Sequence, residues 1–131
     1  MAEGVLLTGA GGFVGRVLGD RLVRAGFAVR AVSRRPEALS GLYADTAPLP
    51  DQPANEEAWA PLLSGIDHVV HCAGIAHATA DIQRDTYITV NAELTGALAR
   101  AAAKRIRGRF VYLSSIRAMA FCPPSVTQAA P

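Results

Sequence analysis

The chain opens on a short apolar run, Gly4-Val5-Leu6-Leu7-Thr8, closed by glycines. A run of that length predicts a buried strand. Phe13, Val14, Val17, Leu18, Leu22 and Val23 then recur at helical spacing, with Asp20, Arg21 and Arg24 between them. This predicts a helix over Phe13–Ala25, stopped by Gly26. Phe27–Val32 reads as a second strand and Ser33-Arg34-Arg35-Pro36 as the turn after it. Strand, glycine turn, helix and strand within about 30 residues form a βαβ unit, which calls for a parallel sheet and a right-handed crossover.

Beyond the turn the pattern loosens. Pro36, Pro48, Pro50 and Pro53 predict mostly loop up to Asn55, with a short strand near Leu42–Ala47. Glu56–Leu63 reads as a short helix closed by Gly65, and Asp67–Ala73 as a buried strand. Asp81–Ile106 is the longest helical pattern, with Asp81 as its N-cap and Arg100, Lys104 and Arg105 where cations suit the helix dipole. Arg109–Ser114 predicts a further strand, after which the chain runs into Cys122-Pro123-Pro124 and a polar, proline-terminated tail.

Composition narrows the possibilities. At 131 residues, 50% hydrophobic and 18% charged, the chain suits one cored domain. A net charge of +2 gives no electrostatic case for nucleic acid or a membrane surface. No apolar run approaches the roughly 20 residues of a spanning helix. Met1 leads straight into the first strand without a basic region or cleavage site, so no secretory signal is expected. Cys72 and Cys122 form no CxxC pair, and reduced thiols in the cytoplasm are the simplest reading.

Gly9, Gly12 and Gly15 are spaced Gly-x-x-Gly-x-x-Gly, directly after one strand and at the opening of one helix. In that place the first glycine permits a tight turn, the second lets backbone approach a pyrophosphate, and the third lets the helix sit close on the sheet. Unpaired N–H groups at the helix start, around Phe13 and Val14, would meet the phosphates. The bland alternative is a glycine-rich turn without ligand. A site for NAD normally carries an acid about 20 residues further on, for the ribose 2′-hydroxyl. Here the second strand ends in Ser33, Arg34 and Arg35 instead. Two guanidiniums and a hydroxyl suit a 2′-phosphate better than a diol, so NADP is favoured over NAD. A merely solvated surface loop is the alternative.

Four stretches, in order, resemble the extended short-chain dehydrogenase/reductase family, and within it the NAD-dependent epimerase/dehydratase enzymes of nucleotide sugars. They are Thr8–Gly15, His71-Cys72-Ala73-Gly74, Tyr87–Asn91 followed by Thr95, and Phe110–Ser115. The resemblance implies an α/β, Rossmann-type doubly wound parallel sheet, incomplete at its C-terminal side, with residues 1–117 as the NAD(P)-binding domain and 118–131 as an irregular tail. It implies that Cys72, Ala73 and Gly74 line the adenosine and ribose side of the coenzyme. Ser115 would hydrogen-bond the substrate oxygen, Ser114 would support the strand end near the nicotinamide, and Asn91 would fix proton-relay geometry. It further implies oxidoreductase or isomerase chemistry and a homodimer through helices that include the Asp81–Ile106 region, with an exposed sheet edge as the alternative contact. A turn serine and a helix-interior amide are the plain alternatives for Ser115 and Asn91.

The sequence departs from the family in lacking its C-terminal substrate-binding portion, with the sixth strand and its helix, and in its catalytic pair. The family's Tyr-x-x-x-Lys pair is missing: the single lysine, Lys104, is preceded four residues earlier by Arg100. A phenol cannot act as a base near neutral pH unless a cation depresses its pKa. The chain is therefore expected to bind coenzyme without completing the reaction. A truncated gene product, a proteolytic fragment and a portion of a longer protein are equally compatible with this. The competing function is a non-catalytic, redox-sensing NAD(P)-binding module.

Three other groupings carry less. His68, His71 and Cys72 cannot converge on a metal, because alternation along a strand puts His71 opposite the other two. Arg100, Lys104, Arg105, Arg107 and Arg109 read as a solvated helix end and not as a nucleic-acid surface. Trp59 with Leu62 and Leu63 reads as a helix packed on the sheet.

Overall fold

The computed structural model describes residues 2–72 and 84–113, and the tail beyond 113 lies outside them. Five strands, β1 (Gly4–Thr8), β2 (Ala28–Ser33), β3 (Asp45–Pro48), β4 (His68–His71) and β5 (Phe110–Tyr112), form one sheet in the order β3-β2-β1-β4-β5. Every pairing is parallel. Helices α1 (Phe13–Arg24) and α2 (Arg84–Arg105) make the crossovers from β1 to β2 and from β4 to β5. The strand order reverses between β1 and β4, so a crevice opens above the carboxyl ends of those two strands.

β1 is buried along its whole length, as a strand covered on both faces must be. On one face Leu6, Val32 and Val69 pack with Leu94, Ala97, Leu98, Ala101 and Ala102. The α2 residues of that set repeat every three or four positions, and its alanines bring the helix close to the sheet. On the other face Leu7, Val29 and Ala31 pack with Ala10 and Leu39, and Leu22 of α1 covers their edge.

Only part of the apolar stripe that predicts α1 is turned inward: Leu18 and Leu22 are half-buried, and Leu22 packs on the core. Phe13, Val14, Val17 and Val23 are exposed, whereas Gly15 and Gly19 are the buried residues. A Cβ on Gly19 would lie 2.0 Å from the Tyr43 hydroxyl, so that side chain covers the helix where no side chain of its own could fit. Helix α1 therefore packs through Gly15 and Gly19 together with Leu22.

Elsewhere the elements are shorter than the patterns suggest. Gly41, at φ +84°, turns the chain and delays β3 to Asp45. At the sheet edge Pro48 can end that strand without breaking an inner ladder. Pro61 divides the expected helix into two 3₁₀ turns, Glu56–Trp59 and Pro61–Leu63. Trp59 is fully buried in the α2-side core, and its indole N–H donates to the Pro53 carbonyl at 2.9 Å. Glu56 pairs with Lys104 and, at 3.4 Å, with Arg100, while Glu57 meets Arg105 at 3.6 Å. These ion pairs link the exposed end of α2 to the 3₁₀ turn, with Arg100 and Lys104 still largely in solvent. At the far edge Val111, Tyr112 and Leu113 are exposed. No helix among the described residues is long and apolar enough to cross a membrane.

Candidate functional site

The first side of the crevice is the glycine turn. Gly9 adopts φ +68°, a left-handed conformation that favours glycine, and reverses the chain as it leaves Thr8. Gly12 N–H donates to the Gly9 carbonyl at 3.0 Å, and Arg16 N–H donates to the Gly12 carbonyl at 3.0 Å. A Cβ on Gly15 would lie 1.9 Å from the Gly9 oxygen, so only glycine lets the helix start stand against the turn. Helix α1 begins at Gly12 with no side-chain cap and no acid in its first turn. Its start therefore keeps its partial positive charge, which suits an anion. Beside it is a shallow open depression lined by Gly11, Phe13, Arg16 and Val17, with the Phe13 ring 89% exposed. Val14, also exposed, follows on the same first turn.

The second side is the end of β2. Ser33 is half-buried; a Cβ on the neighbouring Gly11 would sit 3.4 Å from its hydroxyl oxygen. That oxygen accepts the Arg35 backbone N–H at 3.2 Å, which shapes the turn and leaves Arg34 and Arg35 exposed at its rim. Ser33 thus stands next to the glycine turn, with Arg34 and Arg35 exposed beyond it.

The third side is the end of β4. Val69 and His71 are buried on the α2 face, while Val70 and Cys72 pack on the α1 face. His71 is enclosed among polar and aromatic neighbours. Its Nδ1 is joined to Thr8 Oγ1 at 2.6 Å and its Nε2 to Thr95 Oγ1 at 2.9 Å. The Tyr112 ring stacks on it at 5.4 Å. Burial lowers its pKa to about 4, so the ring is neutral at physiological pH. Burial also raises the Cys72 thiol, which keeps it protonated and poorly nucleophilic. Asn91 is half-buried on α2, one turn before Thr95. Ala73, Gly74, Ser114 and Ser115 lie outside the described residues.

The structure thus brings Gly9, Gly12, Phe13, Val14, Gly15 and Ser33 together at the strand ends, with Arg34 and Arg35 exposed beyond Ser33 and Cys72 joined to Thr8 through its N–H. Thr8, His71 and Thr95 each fall in one of the motif stretches, but no motif pairs them with one another. Strand alternation does turn His71 toward α2, but nothing in the sequence names its partners.

The sequence matches the profile of the NAD-dependent epimerase/dehydratase family over residues 5–128. The chain belongs to that family. An uncharacterized oxidoreductase of Schizosaccharomyces pombe is 32% identical to it over 132 aligned positions, covering 91% of this chain and 39% of the yeast protein. The chain therefore spans about two fifths of the length of that relative. Among solved structures, uronate dehydrogenase from Agrobacterium tumefaciens, complexed with NAD, is 25% identical with a TM-score of 0.69, covering 88% of this chain and 42% of that one. A short-chain dehydrogenase/reductase superfamily protein from the same bacterium, with bound NAD, is 30% identical with a TM-score of 0.65, covering 86% and 33%. UDP-N-acetylglucosamine 4-epimerase from Bacillus cereus, at 23% identity and a TM-score of 0.71, covers 88% and 36% and shares the fold.

Family membership gives the crevice a ligand class. Members bind a nicotinamide dinucleotide, and an uncapped helix start packed against the Gly9 turn suits an anionic diphosphate.

Proposed function

We propose that this chain is the coenzyme-binding portion of an NADP-preferring enzyme that epimerises, dehydrates or reduces a nucleotide sugar in the cytoplasm. The observation that carries the reading is the helix start of α1, uncapped and pressed against Gly9, directly above the point where the strand order reverses. Backbone N–H groups there meet the diphosphate. Arg34 and Arg35 reach a 2′-phosphate, with Ser33 shaping their turn. Two solved relatives carry NAD, so the preference for NADP rests on these three residues alone. Cys72, Ala73 and Gly74 flank the adenosine side and Ser114 the nicotinamide side. Ser115 hydrogen-bonds the substrate oxygen, and Asn91 orients the proton path.

Bound coenzyme supplies hydride transfer. The residues present here bind and orient it but include no Tyr-x-x-x-Lys pair, so residues 1–131 alone take up coenzyme without turnover. Nucleotide-sugar substrates find support in the shared fold of the 4-epimerase. A redox-sensing module that binds coenzyme without catalysis is the second reading, resting on the same helix start.

Fluorescence titration with NADPH and NADH tests the proposal. NADPH should bind roughly tenfold more tightly, and the double substitution Arg34→Ala/Arg35→Ala should erase the difference. Equal affinities in the unmodified chain would remove the role given to the arginines. Turnover by the complete gene product would remove the sensing reading.

A further inference from the structure

We infer that Thr8, His71 and Thr95 form a positioning string that fixes the phosphate-binding turn against helix α2 through hydrogen bonds at both nitrogens of His71. The inference rests on the coenzyme-binding reading for its effect on affinity, but not for its effect on the turn.

Thr8 is the last residue of β1, and its carbonyl carbon is bonded to Gly9, where the chain reverses. In the β1–β4 ladder Thr8 stands directly opposite His71. The Thr8 hydroxyl oxygen also accepts the Cys72 backbone N–H at 3.0 Å, so it gathers the ends of both central strands. The other side of the imidazole reaches Thr95 at 2.9 Å, one helical turn after Asn91. A single neutral ring therefore spans β1, β4 and α2 at the floor of the crevice.

Adhesion does not require this arrangement. β1 and β4 are already joined by a four-residue parallel register, and α2 is already seated by Leu94, Ala97, Leu98, Ala101 and Ala102. An apolar side chain at position 71 would fill the same space without the desolvation cost of two ring nitrogens. Hydrogen bonds add direction, which apolar packing lacks. A neutral imidazole donates through one nitrogen and accepts through the other, so the string has a fixed polarity from turn to helix. Tyr112, stacked on the ring at an interplanar angle of 23°, opposes rotation out of that plane. None of the three side chains needs to touch coenzyme. They act through Gly9 on one side and through the helix on the other.

The test uses the whole chain. In the unmodified protein, long-range ¹H–¹⁵N spectra should show His71 as a single tautomer, one nitrogen protonated and the other bare. A mixture of tautomers would overturn the string. Thr95→Val preserves shape and removes the hydroxyl, and Thr95→Ser restores it. Thr95→Val should displace the amide resonances of Gly9, Gly11 and Gly12 in coenzyme-free protein and weaken NADPH binding about tenfold, while Thr95→Ser should return both toward the unmodified values. Unchanged glycine amides in Thr95→Val, or Thr95→Ser as weak as Thr95→Val, would overturn the inference. If the unmodified chain binds neither NADPH nor NADH, the coenzyme reading falls, and the glycine amides still decide the string.

Discussion

A Cβ atom on Gly15 would stand 1.9 Å from the carbonyl oxygen of Gly9. Backbone occupies that space, and backbone cannot swing aside as a flexible side chain can. Gly15→Ala must therefore push the start of α1 off the turn. The expected cost is about 3 kcal/mol of stability, at the upper end of overpacking effects. Coenzyme affinity should fall with it, because the displaced N–H groups no longer converge. Urea unfolding and NADPH titration of the same preparation check both. Gly12→Val is milder in the free protein, since a Cβ there would lie 3.3 Å from the same oxygen. Its cost should appear in affinity and not in stability, because the added side chain takes the space a diphosphate needs.

His71 makes stability depend on pH in a defined window. Burial lowers its pKa from 6.5 to about 4, so between those values the unfolded chain takes up a proton that the folded chain does not. Stability then rises with pH across the window and is lost as pH falls through it, by up to about 3 kcal/mol. His71→Asn keeps polar character without a titrating ring. It should start less stable at pH 7.5 and lose distinctly less than the unmodified chain on going to pH 4.5. Urea midpoints at the two pH values measure the difference. Parallel losses in both proteins would show that the ring is not the group responsible.

Much of this was legible in the residues themselves. Gly9, Gly12 and Gly15 announce the turn because each does something no other residue can, and the apolar run of β1 announces a strand covered on both faces. What escaped the sequence was the side of α1 that packs. Phe13, Val14 and Val17 have helical spacing but stand in solvent, because the packed side carries Gly15 against the Gly9–Ala10 backbone and Gly19 against the Tyr43 ring. Periodicity reports where apolar side chains lie on a helix, and a face made of missing side chains leaves no such signal. The His71 contacts escaped for a different reason. Thr8, His71 and Thr95 are far apart in the chain, and only strand order and register bring them together.

Glu56 gathers two cations of α2. The hydrogen bond donated by Lys104, with help from Arg100, holds its carboxyl below the usual carboxylate value of 4.5. Its contribution is therefore present above that value and lost as pH falls toward the lowered one. Glu56→Gln should lower the unfolding midpoint at pH 7 and lower it progressively less as the pH falls below 4.5. Because the cations are largely exposed, 1 M salt, with a screening length of about 3 Å, should remove most of the difference. Thermal unfolding in low and high salt checks this, and a salt-independent difference would point to packing instead of charge.

Trp59 separates stability from site chemistry. It is the chain's single tryptophan, fully buried, in the cluster that seats Leu94, Leu98 and Ala101. Trp59→Ala should cost about 3–5 kcal/mol, since the indole space is walled by the sheet and by α2 and cannot collapse freely. Trp59→Phe keeps most of the apolar contact but leaves the Pro53 carbonyl without the N–H it accepts, an expected loss of about 1–2 kcal/mol. The indole packs under the Leu94–Ala102 stretch of α2 on the sheet's α2 face, whereas the glycine turn and Ser33 lie at the strand ends. NADPH affinity of folded Trp59→Phe should therefore stay within about twofold of the unmodified chain, a change below roughly 0.4 kcal/mol. A larger loss would mean that the seat of α2 reaches the coenzyme crevice, and the string through Thr95 and His71 is the route by which it would do so.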